Sequence, residues 1–169
     1  MKSSVDELGV FGGPAEFPEA LHVGRPNVGD RARILERIGA AIDRRWLTND
    51  GPCVAEFERR VAGITGVRHC IAVSSGTMAL MLAARASGLR GEVIVPSLTF
   101  IGTVHAIYWQ GITPVFCDVD PATHNLDPAQ VEKLVTPRTS GILGVHLWGR
   151  PCAVEALEQI ARRRGLRLL

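Results

Sequence analysis

The sequence predicts an α/β fold, a mostly parallel sheet with helices on both faces. Three observations lead to this prediction. Short apolar runs alternate with stretches of helical periodicity between residues 69 and 169. The runs are apolar at successive positions, which is typical of strands that are buried on both faces. No hairpin signal separates one run from the next, so helical crossovers are the expected connections.

Two helices precede this alternation. Residues 1–29 are rich in Gly and Pro and predict an extended arm without a core of its own. Asp30 is the predicted N-cap of a first helix, whose apolar residues recur at helical spacing: Ile34, Leu35, Ile38, Ala41 and Ile42. A second helix follows the break at Gly51 and Pro52 and ends at Gly66, with an apolar face formed by Val54, Phe57, Val61 and Ile64.

The alternating region supplies the remaining elements. Strands are predicted at residues 69–73, 92–96, 113–119, 141–148 and, as a beginning only, 166–169. Helices are predicted at residues 77–87, 101–110, 129–135 and 152–164. Asp127 and Pro128 have the N-cap and first-position chemistry of a helix start, Pro151 opens the last helix, and Gly165 closes it. Because the final run is apolar and has no following turn, we expect a truncated sequence, and we treat residues 30–169 as a partial domain.

Composition excludes several classes of protein. The chain has 169 residues, of which 46% are hydrophobic and 21% charged, as in an ordinary globular domain. The net charge is only +2 and the arginines are scattered, so the sequence indicates no basic patch that would bind nucleic acid. The four cysteines form no C-x-x-C pair, which argues against a metal site or a disulfide framework. There is no secretory signal and no apolar run that could cross a bilayer, so we expect a cytoplasmic location.

Chemistry is expected where parallel strands end. Ligands of open α/β sheets collect at the carboxyl ends of strands, which here are residues 74–77, 97–100, 118–120 and 146–149. In the first segment, Gly76 permits close approach of a ligand, and the amides of Gly76 and Thr77 would lie at a helix N-terminus that favours an anion such as phosphate. A serine N-cap without a ligand is the alternative that the spacing leaves open.

An aromatic residue follows the next strand. Phe100 is delivered to the same edge of the sheet as the Ser-Gly-Thr turn, where it could stack on a planar ring whose phosphate the turn holds. Taken alone, Phe100 is also compatible with a core position. Neither a P-loop nor a dinucleotide-binding glycine motif is present.

Four stretches together resemble one family. They are WLTNDGPCVAEFERRVAGITGVRHCIAVSSGTMAL, EVIVPSLTFIGTVHAI, GITPVFCDVDPATHNLDP and GVHLWG. In this order they resemble the DegT-type sugar aminotransferases, pyridoxal-phosphate enzymes of the aspartate aminotransferase fold (fold type I). The resemblance runs from about residue 21 to residue 169 and implies an incomplete large domain of that fold.

The resemblance implies residue roles by position. Ser75, Gly76 and Thr77 would form part of the phosphate cup for pyridoxal 5'-phosphate, and Phe100 would cover its pyridine ring. His146 matches a position near the active site, although a structural hydrogen-bonding histidine is equally compatible. No metal-binding residue is assigned. The resemblance implies glutamate and a nucleotide-linked keto sugar as substrates, and a homodimer. Which nucleotide sugar is used and which carbon is aminated stay open, with a thymidine-diphosphate 4-keto-6-deoxy sugar as the first expectation.

The resemblance also implies missing parts. The family's cofactor-binding lysine and the acid that pairs with the pyridinium nitrogen align beyond Leu169, and neither Lys2 nor Lys133 matches that lysine. Asp118 and Asp120 match a loop and are predicted turn formers. No catalytic residue is therefore assigned, and we expect the N-terminal part of a sugar aminotransferase that is inactive alone. The alternative is a non-catalytic remnant or binding module, completed by another chain.

Overall fold

The computed structural model describes residues 3–15, 17, 19, 22 and 24–169. The chain divides into two compact units, Met1–Phe57 and Glu58–Leu169. The first unit contains short 3-10 turns at Val5–Glu7 and Gly9–Phe11 and the helix α1, Arg31–Asp43. The predicted cap of α1 is confirmed, because the Asp30 carboxylate accepts a hydrogen bond from the Arg33 amide at 3.1 Å.

The second helix, α2, spans Pro52–Thr65 and ends before Gly66, which has a φ of +71°. Both early helices are therefore confirmed, but neither contains a buried residue. Ile38 of α1 is 50% exposed and Ile64 of α2 is 85% exposed. The apolar periodicity thus forms the helices without giving them a core of their own.

The sheet belongs to the second unit. Its strands are β1 (Glu92–Pro96), β2 (Thr113–Cys117), β3 (Thr139–Ile142) and β4 (Arg167–Leu168), arranged in the order β2-β1-β3-β4. All three pairings are parallel. The predicted parallel sheet is confirmed, and its central strand β1 is buried along its whole length.

Helices cover both faces of this sheet. They are α3 (Gly76–Ala86), α4 (Ile101–Tyr108), α5 (Pro128–Leu134) and α6 (Val154–Arg164). Successive side chains of β1 enter two separate cores, since a strand points them to opposite faces. Ile94 packs with Val131 of α5 and Leu157 of α6, whereas Val93 and Val95 pack with residues of α3 and α4. The predicted fold class is therefore confirmed.

The predicted strand at residues 69–73 is wrong. This run forms no β-ladder, and its Ile71 is 80% exposed. The main-chain amide of Ala72 instead donates to the Glu58 carboxylate at 2.8 Å. An apolar run becomes a strand only beside a partner strand, and the described part of the chain offers none to this run.

The loop after β3 also differs from the prediction, which extended that strand to residue 148. The regular strand ends at Ile142, although the Leu143 amide still donates to the Ile94 carbonyl at 2.9 Å. The chain then makes a short 3-10 turn at Leu147–Gly149, where Trp148 has a φ of +52°. The next helix begins at Val154, not directly after Pro151. The amide of Cys152 donates to the His146 ring at 3.1 Å, so this part of the chain is held outside the helix.

Two further predictions about the alternating region are confirmed. The Asp127 carboxylate caps α5 by accepting from the Ala129 amide at 2.9 Å, and Gly165 ends α6 with a φ of +67°. Cys117 is fully buried, and this burial raises the pKa of its thiol to about 11.

Within the described residues, no helix combines the length and hydropathy that a membrane crossing requires.

Glu92, the first residue of β1, carries a buried carboxylate. One oxygen accepts from the Thr136 hydroxyl at 2.5 Å and the other from Arg138 Nε at 2.8 Å. The Thr136 hydroxyl, followed by the Arg138 guanidinium, lowers the pKa of Glu92. Because a lowered folded-state pKa stabilises the protein only above the unfolded value, this contribution is present at neutral pH and lost on acidification.

Substitution of this carboxylate tests the pH dependence. The free energy of unfolding of the unaltered chain is expected to exceed that of Glu92→Gln at pH 7, and this difference should shrink as the pH falls below about 4, near the pKa of an unperturbed glutamate side chain. Denaturant titrations at several pH values measure it. Glu158→Gln, which removes an exposed carboxylate paired with Arg162, is the control. A difference for Glu92→Gln that does not change with pH would contradict this explanation.

Candidate active site

The N-terminus of α3 forms the first part of the candidate site. Ser75 has an extended backbone, and its hydroxyl accepts a hydrogen bond from the Met78 amide at 3.2 Å. Ser75 is therefore an N-cap, as the alternative prediction stated. The amides of Gly76 and Thr77 have no hydrogen-bond partner among the described residues. Two unpaired amides at the positive end of a helix can bind an oxyanion, so the cap and the anion site are compatible.

Gly102 is the point where the two predicted segments meet. A Cβ atom added to Gly102 would lie 2.7 Å from Thr77 Oγ1 and 2.9 Å from Phe100 Cε1. The hydroxyl of Thr77 and the ring of Phe100 therefore approach the same backbone position in α4. Such close packing is possible because Gly102 is buried and has no side chain. The structure thus brings together the Ser-Gly-Thr turn and Phe100, as the sequence predicted.

Phe100 lies at the surface. Its side chain is 74% exposed and occupies the N-cap position of α4. The alternative interpretation of Phe100 as a core residue is therefore wrong. An exposed aromatic face beside an anion-binding turn can stack on a planar ring that carries a phosphate.

His146 lies at the same edge of the sheet, beyond the end of β3. Its Nδ1 accepts the hydrogen bond from the Cys152 amide, so the structural role considered for this histidine is present. An accepting Nδ1 places the proton of the neutral ring on Nε2. The side chain is exposed, which leaves Nε2–H available as a donor. The hydrogen bond that the structure describes for the His146 ring is to Cys152, and no described hydrogen bond links this ring to Thr77 or Phe100.

Sequence analysis missed Asn125, which organises the loop that contains His146. Its side-chain amide donates to the carbonyls of Arg150 and Pro151, both at 3.1 Å, and its oxygen accepts from the Leu147 amide at 3.3 Å. Asn125 is only 3% exposed. A buried side chain with three hydrogen bonds to the main chain fixes the conformation of this loop. The sequence does not reveal this role, because an asparagine before a predicted helix indicates only a turn.

Trp148 is the second residue that sequence analysis missed. Its left-handed backbone is uncommon for a bulky residue, and its ring is 82% exposed. It meets the ring of His124, also at positive φ, edge to face with 6.0 Å between centroids. Strained residues of this kind cluster at binding sites, so Trp148 adds a second exposed aromatic surface to this edge.

The predicted turn role of Asp120 is confirmed. Its carboxylate accepts from the amides of Thr123 and Ala122 at 2.7 and 2.9 Å. These bonds lower the pKa of Asp120, and the bond from Thr123 has the larger effect.

Lys133 lies on α5, and its Nζ donates to Gln130 at 3.2 Å. Since α5 and α3 cover opposite faces of the sheet, Lys133 is separated from the Ser-Gly-Thr turn. Lys2 lies outside the described residues.

The fold agrees with that of known proteins. Residues 29–169 match the family model for the DegT/DnrJ/EryC1/StrS aminotransferase family, and the chain belongs to this family. The match confirms the resemblance found in the sequence.

Solved structures show the same fold. The chain is 57% identical to DesI, solved in the presence of its TDP-sugar product, with a TM-score of 0.87 over 98% of this chain and 42% of that one. It is 34% identical to NtdA from Bacillus subtilis with bound cofactor PMP, with a TM-score of 0.79 over 81% of this chain and 32% of that one. These neighbours are pyridoxal-phosphate aminotransferases of fold type I.

Two curated relatives are similar to this chain over most of its length. A dTDP-4-amino-4,6-dideoxy-D-glucose transaminase of Escherichia coli is 36% identical over 89% of this chain and 41% of its own length. A GDP-perosamine synthase of Caulobacter vibrioides is 44% identical over 81% of this chain and 36% of its own. The chain therefore spans about two fifths of the length of these relatives.

Proposed function

We propose that this chain forms the phosphate-binding and ring-covering part of the cofactor site in an aminotransferase that acts on a nucleotide-linked keto sugar. The observation that supports the proposal most is the meeting of Thr77 and Phe100 around Gly102, beside two unpaired amides. Residues 30–169 would then be part of the large domain, preceded by an arm at residues 1–29. The family and the names of the relatives support the reaction class.

The residues present fit pyridoxal 5'-phosphate. The amides of Gly76 and Thr77, with the Thr77 hydroxyl, would hold its phosphate, and Ser75 would keep these amides in place as the N-cap. Phe100 would cover one face of the ring, which excludes water from that face. His146 would donate from Nε2 to cofactor or substrate. The cofactor, when bound, supplies an electron sink for proton removal next to the amino group.

The remaining chemistry would come from polypeptide outside this sequence. Transamination needs a lysine that moves the proton, and Lys133 lies behind the sheet relative to α3. We therefore propose that the lysine and the acidic partner of the ring nitrogen belong to a further segment, and that this chain alone is inactive. Glutamate as amino donor and a homodimeric whole enzyme are part of the same proposal.

Binding of the cofactor tests the proposal directly. Titration of the chain with pyridoxal 5'-phosphate, followed by tryptophan fluorescence, is expected to show saturable binding, and pyridoxal without its phosphate should bind at least roughly tenfold more weakly. Equal affinity for the two compounds would rule out the phosphate site. After borohydride reduction, mass spectrometry should find no pyridoxyl group on Lys133, and a stoichiometric adduct there would overturn the proposed inactivity.

A second prediction concerns Gly102. In Gly102→Ala the new methyl group would displace Thr77 and Phe100, so the dissociation constant for pyridoxal 5'-phosphate should rise roughly tenfold. Stability should change little, because the displaced atoms are side-chain ends and alanine favours a helix. Gly63→Ala in α2, where a Cβ meets nothing within 4 Å, is the matched control. If both variants bind as the unaltered chain does, the two side chains are not used as proposed.

One observation favours the second candidate, a binding module completed by another chain. Residues 69–73 form an apolar, exposed run without a partner strand. Pairing with a further segment would bury it. If a recombinant chain that extends past Leu169 transaminates a nucleotide-linked keto sugar, the aminotransferase function is supported. If the extension improves folding without giving this activity, the binding module is supported.

A further inference from the structure

A polar cavity lies at the edge of the sheet where the strands begin, opposite the edge that carries the candidate active site. Its volume is about 380 Å³, and three arginines line it: Arg90, Arg138 and Arg167. Arg90 precedes β1, Arg138 precedes β3, and Arg167 opens β4. Parallel strands that start at one edge thus bring together three cations from distant parts of the sequence. This edge is remote from the ends of β1 and β3, which Phe100 and His146 follow.

The main chain around the cavity is fixed by hydrogen bonds. The Ser140 hydroxyl accepts from the Arg90 amide at 3.0 Å and donates to the Arg90 carbonyl. The carbonyl of Arg138 accepts from the Glu92 amide at 3.0 Å. Arg167 pairs in register with Gly141. The positions from which all three side chains project are therefore set by the sheet.

The charges in the cavity are unbalanced. The guanidinium of Arg138 is paired with the Glu92 carboxylate. Among the described residues, Arg90 and Arg167 have no acidic partner. Two arginines that line one cavity without a counter-charge attract an anion.

Two helices end at this edge and partly offset the positive charge. The C-termini of α3 and α6 each carry about half a negative charge, limited to the last turn. The Leu89 amide donates to the Ala84 carbonyl at 3.1 Å, and the Leu166 amide to the Ala161 carbonyl at 2.8 Å, so part of each terminus is already satisfied. The two unpaired guanidiniums outweigh what remains.

We propose that this cavity binds a phosphate-bearing small molecule. The planar fork of arginine matches phosphate oxygens with two parallel hydrogen bonds, and the hydroxyl of Ser87 at the cavity wall supplies a further donor. Guanidiniums from two separate parts of the chain suit a diphosphate better than a single phosphate, because each can bind one phosphate group. The site is separate from the Ser-Gly-Thr turn and does not depend on the proposed function.

Calorimetric titration with inorganic pyrophosphate tests the proposal. Arg90→Gln and Arg167→Gln are each expected to weaken binding roughly tenfold. Arg162→Gln is the matched control, because Arg162 lies outside the cavity and pairs with Glu158. If all three variants weaken binding equally, pyrophosphate responds only to net charge and the proposal fails.

Hydrogen exchange on the unaltered chain locates the ligand without any variant. Pyrophosphate is expected to slow exchange in residues 87–90 and 138–141. Protection confined to residues 76–79 would show that pyrophosphate occupies only the Ser-Gly-Thr turn and would overturn the proposal. No protection anywhere would overturn it as well.

Discussion

Replacing Gly76 with proline is expected to weaken binding of pyridoxal 5'-phosphate roughly ten- to hundredfold while α3 remains folded. Gly76 is the first residue of α3, a position that tolerates proline because its amide has no partner within the helix. Ser75 before it is extended, with φ −161° and ψ 160°, as a residue preceding proline must be. The substitution therefore deletes one phosphate donor and keeps the helix.

Gly76→Ala provides the matched control. A Cβ at this position meets nothing within 4 Å, and alanine keeps the amide, so binding should stay close to that of the unaltered chain. Fluorescence titration measures the affinities, and circular dichroism checks the helix content. Equal affinity in the proline and alanine variants would show that this amide does not bind the phosphate.

Replacing Ile94 with alanine is expected to lower the free energy of unfolding by about 2–5 kcal/mol. Ile94 is fully buried in the central strand β1 and packs with Ile142, Val131 and Leu157. Removing three carbons loses their transfer free energy and leaves a cavity that a strand fixed on both sides cannot fill.

Ile64→Ala makes the same chemical change on the exposed surface of α2. Ile64 is 85% exposed, so its replacement should alter stability by at most about 0.5 kcal/mol. Denaturant unfolding of both variants gives the comparison. Similar losses in the two would mean that β1 is not the centre of the core.

Sequence rules predicted those features of the fold that depend on local chemistry. The caps at Asp30, Ser75 and Asp127 were predictable because each depends on one side chain and the next few amides. The parallel sheet followed from apolar runs without hairpin turns. Residues 69–73 were mispredicted because strand formation depends on a partner that a single run cannot reveal.

The candidate site was likewise only partly predictable from the sequence. Placing Thr77 and Phe100 at one edge rested on a strand before each of them, and only Phe100 follows a strand, β1, because residues 69–73 form no β-ladder. The role of Gly102 between them depends on distances below 3 Å that no sequence pattern encodes. The same holds for Asn125, whose three bonds reach a loop more than twenty residues away.

We propose that the start of α3 and the ring of Phe100 hold the phosphate and ring of the cofactor. Nuclear magnetic resonance of the labelled chain, titrated with pyridoxal 5'-phosphate, tests it most directly. The signals of the Gly76 and Thr77 amides and of the Phe100 ring protons are expected to shift saturably, with one common affinity. Saturable binding that leaves these signals unchanged would contradict it.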